Sequence, residues 1–216
     1  MVDIIDRIGE FLYKHLLEVG HDYNEIKYRY EHSLRVSNIG LELAKLENAN
    51  KKVTIIACLL HDVGKFDTND NIDHGRVSAR IARNFLLKLD LSQAEIDDIC
   101  YAIAAHVDRK CGYEYKETLE AKIVRDSDTI DRFGVCRINQ RLIWDQMEAK
   151  QADKGKIIES KINDIEEFLK KLNRYDNEYN LETNSGNKKI KERLKLQMCF
   201  YDKYLLELKM TKNPIL

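Results

Sequence analysis

A single proline, Pro214, stands among 216 residues. Proline removes a backbone donor and clashes with the preceding helical turn, so its scarcity leaves the chain free to run in long helices. The sequence has nine glycines, too few for a turn-rich β architecture. Apolar spacing agrees with this. Ile4, Ile8, Leu12 and Leu16 form one stripe over residues 3–19, the period of an amphipathic helix.

The same pattern continues along the chain. A second helix is predicted over 30–47, where Val36, Ile39, Leu43 and Leu46 recur at helical spacing and His32 extends the stripe by a turn. Residues 51–62 contain the most apolar run, VTIIACLL, and read as a helix buried nearly all round that Gly64 stops. The turn formers KFDTNDNID follow. A fourth helix is predicted over 74–89. A fifth runs from Ser92, with Glu95 placed for a capping box, to His106. A sixth covers 118–133 after the polar loop VDRKCGYEYK. Three more are predicted over 135–151, 156–172 and 188–208, the last two separated by NLETNSGNKK, a flexible loop by composition. Ile157, Ile158, Ile162, Ile165 and Leu169 give the eighth helix an apolar stripe that packs on the main body or on a second copy, so a homodimer is one expectation. The fold class expected is all-α.

Lys and Arg number 36 against 37 Asp and Glu, so no global field draws the chain to duplex DNA or RNA, or to anionic lipid. No apolar run reaches membrane-spanning length. The first residues lack the basic start and unbroken apolar stretch of a signal peptide. Cys58, Cys100, Cys111, Cys136 and Cys199 are odd in number and show no C-x-x-C, which suggests reduced thiols and a cytoplasmic setting. Cys58 and Cys100 lie in apolar helical runs and read as core residues.

Four of the six histidines fall where polar groups are otherwise unwelcome. His32 lies on an apolar stripe, His61 with Asp62 ends the most buried helix, His74 opens a helix, and His106 closes one after ICYAIAA. Imidazole with carboxylate is the usual donor set for borderline divalent ions. A buried carboxylate costs several kcal/mol unless a cation lies near. The stretch VRDSDTIDR offers Asp126, Asp128 and Asp131. His15 and His21 have no acidic or His partner at ligand spacing and read as structural or exposed.

His32 in EHSLRV, His61-Asp62 in CLLHDVGK and Asp128 in KIVRDSDTIDRFG resemble the H…HD…D signature of the HD-domain metal-dependent phosphohydrolases. The resemblance spans about residues 30–137. It implies a compact HD-domain helical bundle over 1–150, with a C-terminal helical extension over 151–216 packed on it. It implies His32, His61, Asp62 and Asp128 as metal ligands; Asp126 also lies on a partly buried face, so the choice of Asp128 follows the family pattern. The implied cofactor is a divalent ion (Mn, Fe, Co, Zn, Ni or Mg), one or two per chain. Some family branches add two histidines and hold two ions with the HD Asp bridging. His74 and His106 stand in that order, as ligands of a second ion or as substrate-facing residues. The sequence AAHVD departs from the HHE of the cyclic-dinucleotide branch, and that branch's Gly-Tyr-Pro element is missing, which favours one tightly held ion.

The implied activity is hydrolysis of a phosphate ester or anhydride, most readily of a small nucleotide, by metal-activated water. Asp62 would orient the water. Lys65 would meet phosphate or protonate the leaving oxygen, unless it is a solvated loop lysine. Arg35 would reach the phosphate or form an exposed ion pair. Tyr113 and Tyr115 could stack on a base. Two other readings compete: a non-catalytic metal- or nucleotide-binding regulatory module, and a di-iron HD oxygenase that would need both His74 and His106.

Overall fold

The computed structural model describes residues 2–108, 117–148, 154–178 and 180–211, and among these no strand occurs. Tyr113, Tyr115 and Cys111 lie outside the described residues. Nine helices are described: α1 Val2–Val19, α2 Tyr23–Glu47, α3 Lys51–Leu60, α4 His74–Leu86, α5 Gln93–Ala105, α6 Leu119–Asp131, α7 Val135–Glu148, α8 Lys154–Glu178 and α9 Asn184–Met210. No described helix is long and apolar enough to cross a membrane.

Local chemistry sets the helix ends. Asp22 accepts the Glu25 N–H and opens α2, so this helix starts seven residues before the sequence expectation. The missed signal is this cap, Asp followed three residues later by Glu. Asn48 closes α2 in the left-handed region at φ 59°, a conformation asparagine tolerates. Asn50 then accepts the N–H groups of Lys52 and Val53 to start α3. The expected capping box of Ser92 and Glu95 is present, and Glu95 also accepts Lys52 Nζ at 2.8 Å, joining the starts of α3 and α5.

The chain divides into two compact units, one running to Asp131 and including Glu182–Gly186, the other comprising Arg132–Leu181 and Asn187 onward. In the first unit α3 is packed by α1, α2, α4, α5 and α6. The reason is in its sequence, since Val53, Thr54 and every residue from Ile56 to Leu60 are buried. Ile8, Leu12 and Leu16 of α1, Val36 of α2, Leu86 of α4 and Ile99 and Ile103 of α5 close around it. Cys58 and Cys100 are buried in this core as free thiols. In the second unit Ile162, Ile165 and Leu169 of α8 are buried. Phe168 of α8 meets Tyr201 of α9 edge to face, with Arg141 of α7 stacked 4.2 Å from the Phe168 ring.

Two expectations are corrected. Helix α8 extends to Glu178, beyond the predicted 172, and α9 begins at Asn184 rather than 188. The stretch NLETNSGNKK is therefore not a flexible loop: its second half is helix, and Glu182, Thr183 and Ser185 are hydrogen-bonded to Asp126 and Glu47. Turn-forming composition yields here to fixed acceptors from distant helices.

Past α3 the chain turns at once beneath α4. The Gly64 N–H donates to Ser78 Oγ at 2.9 Å, and a Cβ at Gly64 would lie 2.8 Å from the Ser78 backbone nitrogen. Backbone cannot swing aside as a side chain can. Gly64→Ala is expected to destabilise the protein by about 1–3 kcal/mol, read as a lower thermal midpoint. An unchanged midpoint would show that the turn and α4 can separate without cost.

Candidate metal centre

Five segments of the first unit bring polar side chains to one place. His32 comes from the middle of α2, His61 and Asp62 from the end of α3, His74 from the first residue of α4, His106 from the end of α5, and Asp128 from α6. All four imidazoles and Asp62 are buried.

Each imidazole is oriented through Nδ1. His61 Nδ1 lies 2.7 Å from the Cys58 carbonyl, His106 Nδ1 2.7 Å from the Ile103 carbonyl, and His74 Nδ1 2.7 Å from the Asn71 carbonyl. A carbonyl can only accept, so each Nδ1 carries the hydrogen and, in the neutral ring, each Nε2 carries a lone pair. His32 Nδ1 donates to Asp131 Oδ2 at 2.7 Å. This is the arrangement that fixes the tautomer of metal-ligating histidines.

The Nε2 atoms face one another in two pairs, His32 with His61 at 3.2 Å and His74 with His106 at 3.2 Å. The Asp62 carboxylate lies between the pairs. Its Oδ1 is 3.1 Å from His74 Nε2 and 3.7 Å from His106 Nε2, while its Oδ2 is 3.7 Å from His61 Nε2 and 3.9 Å from His32 Nε2. Asp128 Oδ1 completes the first group, 3.3 Å from His32 Nε2 and 4.0 Å from His61 Nε2. Among these donors two overlapping groups have ligand atoms close enough to share an ion, His32, His61 and Asp128, and His61, Asp62 and His106, and His74 adjoins the second through His106 and Asp62. Lone pairs this close repel unless a proton or a cation stands between them, so the donor chemistry fits a divalent ion.

The electrostatics show how the charge is shared. Burial would lower the pKa of His32, but hydrogen bonds to Asp128 and Asp131 and the charge of Asp62 outweigh it and raise the value to about 9. Burial pushes His61 down to about 4, which leaves its Nε2 lone pair available at neutral pH. Burial opposes ionisation of Asp62, yet the surrounding His61, His106 and His74 and the Arg29 guanidinium hold it well below the usual carboxylate range.

The three aspartates of α6 take different roles. Two residues turn about 200° around a helix, so Asp126 points away from Asp128. It is 1% exposed and accepts the N–H groups of Glu182 and Thr183 and the Thr183 hydroxyl, the last at 2.6 Å. Asp131 lies on the side of Asp128 and supports His32. It also receives Arg35 through Nε at 2.8 Å and a terminal nitrogen at 3.1 Å, which places Arg35 on that carboxylate. Lys65 sits at the rim, with Nζ 3.1 Å from Asn71 Oδ1 and 3.3 Å from His74 Nδ1, and burial lowers its pKa.

Sequence reasoning missed two participants. Arg29 donates to Asp62 Oδ2 at 2.7 Å, and its position three residues before His32 on the same helix face was the available signal. Asp131 was recognised as a carboxylate but not as the partner of His32. Outside the centre, His15 Nε2 lies 2.9 Å from Asp67 Oδ2, a partner 52 residues away that spacing could not reveal.

A family model described as HD domain matches residues 29–132, a span that holds every side chain of the centre. Several solved structures share the fold. A predicted HD superfamily hydrolase from an uncultured Thermotogales bacterium is 19% identical, with a TM-score of 0.63 over 92% of this chain and 91% of that one. An HD-superfamily hydrolase from Bacillus thuringiensis is 17% identical, with a TM-score of 0.66 over 96% and 97%. Bacillus subtilis YpgQ, in complex with ADP, is 20% identical, with a TM-score of 0.65 over 95% of each chain.

Two expectations follow from the geometry. Asp128→Asn is expected to weaken divalent-ion binding sharply with little effect on thermal stability, whereas Asp126→Asn lowers the thermal midpoint and leaves ion binding in place. Calorimetric titration and thermal unfolding of both variants test this, and the reverse pattern would move the ligand to Asp126. The second concerns pH. The folded pKa of His32 is raised above 6.5 to about 9, so its contribution to the stability of the metal-free protein is complete below pH 6.5 and is lost as pH rises through 9. An ion that takes His32 Nε2 must displace this proton. Titration with Mn²⁺ at pH 7.5 in buffers of different ionisation enthalpy should therefore show proton release. Uptake, or no exchange, would contradict the assignment.

Proposed function

The chain belongs to the HD-domain superfamily through residues 29–132, and from that premise we propose that it is a divalent-metal-dependent phosphohydrolase that holds two ions and acts on a small nucleotide. The observation that carries the reading is the pair of facing Nε2 atoms on each side of Asp62. His32, His61, Asp62 and Asp128 would hold the first ion, and His74, His106 and the other oxygen of Asp62 the second. The sequence alone favoured one ion and offered His74 and His106 as ligands of a second or as substrate-facing residues; the facing Nε2 atoms of this pair support the two-ion reading.

Divalent ions held there would supply positive charge to a phosphoryl oxygen and make hydroxide available near neutral pH. The remaining roles belong to the chain. Asp62, held ionised, would orient the attacking water. Arg29 and Lys65, both within reach of the Asp62 and His74 rim, receive the non-bridging phosphate oxygens, as a guanidinium and an ammonium do well. The lowered pKa of Lys65 suits it to give a proton to the leaving oxygen. Arg35 is given a supporting role through Asp131. The nucleotide class is supported by the ADP carried by YpgQ, and the buried free thiols Cys58 and Cys100 agree with a reducing, cytoplasmic setting.

The test is a metal titration coupled to phosphate and pyrophosphate release across nucleoside mono-, di- and triphosphates. Wild type is expected to bind about two Mn²⁺ and His106→Ala about one, with most of the rate lost, since a two-metal clamp acts on both the attacking and leaving oxygens. Release that persists in excess chelator would sink the metal-dependent reading. Oxygen consumption with iron, and no phosphate release, would establish the di-iron oxygenase in its place. Metal or nucleotide binding without turnover of any kind would establish the regulatory module.

A further inference from the structure

Residues Glu182–Gly186 belong to the first unit although the chain on either side of them belongs to the second. They are bound at three points. Glu182 grips Arg125 through both carboxylate oxygens, at 2.6 Å to Nε and 2.7 Å to a terminal nitrogen. Thr183 and the Glu182 N–H sit on Asp126. Ser185 donates its N–H to Glu47 at 2.7 Å and its hydroxyl to the same carboxylate oxygen. The fit leaves no room for a side chain at Gly186, where a Cβ would lie 2.6 Å from both Asp126 Oδ2 and Thr183 Oγ1.

Arg125 has a further contact that points to the centre. Its remaining terminal nitrogen donates to the Ala105 carbonyl at 3.2 Å. Ala105 is the last residue of α5, and His106 is its cap. Carbonyls of a last helical turn lack intrahelical partners, and a cation there is favoured by the helix dipole. The same turn supplies the Ile103 carbonyl that orients His106. Arg125 is only 8% exposed, and a guanidinium so buried requires a counter-charge to stay in place, which Glu182 provides with fork geometry.

We infer that Arg125, clamped by Glu182, is a positioning residue for His106, so that the returning segment Glu182–Gly186 sets the affinity of the second ion; this rests on the two-ion reading above. Arg125 holds the end of α5, the end of α5 aims the imidazole, and Glu182 keeps Arg125 aligned. Asp126 and Thr183 anchor the segment at a second point.

The experiment is Mn²⁺ titration of the full chain by calorimetry, alongside thermal unfolding, for wild type, Glu182→Ala, Thr183→Val and His106→Ala. Glu182→Ala is expected to bind its first ion as wild type does and its second about tenfold more weakly or worse, the scale seen when groups supporting a ligand are lost. Thr183→Val loses the hydroxyl bond to Asp126 and part of the stability, but keeps both ions. Unchanged second-ion affinity in Glu182→Ala would overturn the inference, and so would equal weakening in Thr183→Val, which would mean general loosening. If Glu182→Ala does not fold, Glu182→Gln keeps the side-chain shape without the charge and should show the same selective loss by a smaller factor; no loss there overturns the inference. His106→Ala separates the two levels. One ion bound by wild type would defeat the two-ion reading itself, and two ions retained in His106→Ala would remove His106 from the second site, whereas one ion in His106→Ala with wild-type binding in the Glu182 variants would defeat only the positioning role.

Discussion

Four imidazoles, held with their lone pairs face to face around a buried carboxylate, need positive charge among them. Most of the first unit can be understood from that requirement. In the protein without ions, a proton on His32 and the Arg29 guanidinium meet part of it. The apolar packing of α3 forces the issue, since it carries His61 and Asp62 inward at the end of a helix whose last five residues, Ile56 to Leu60, are all buried. An unpaired charge at such a place would cost several kcal/mol, so the donors are organised as two sets rather than scattered.

The organisation relies on one local device used three times. His61, His74 and His106 each place Nδ1 against a carbonyl three residues earlier. His61 and His106 use carbonyls in the last turn of α3 and α5, where intrahelical donors run out. His74 does the same at the opposite end of a helix, against the turn that precedes α4. Helix termini thus both satisfy backbone acceptors and fix tautomers. His32, in mid-helix, has no such carbonyl to use, and Asp131 takes that part from across the bundle. A mid-helix histidine needs a long-range partner, and this is why Asp131 and Arg35 come together beside it.

The HD-domain match ends at residue 132, yet the first unit also takes in Glu182–Gly186. Asp126 and Glu47 fasten the returning segment, while Glu95 joins the starts of α3 and α5. The composition of NLETNSGNKK suggests a loop because Asn, Thr, Ser and Gly compete with helix for backbone groups. That competition is settled by acceptors the segment meets only after folding, and Asn184 onward then continues as helix.

The sequence by itself determined the all-helical class, most of the helices near their observed positions, the burial of α3, and the four histidines, Asp62 and Asp128 that gather at the centre. Periodicity and caps are local properties, and so are the motifs around His32, His61-Asp62 and Asp128. Only the tertiary structure decided that Asp62 divides its two oxygens between two imidazole pairs, that Asp126 turns to Thr183 while Asp131 turns to His32, and that Arg29 and Glu182 take part. The reason is distance along the chain. The partners of His32 and Asp126 lie 99 and 57 residues away. A helical period says which face of a helix is buried, but the packing of several helices decides which atoms on those faces meet.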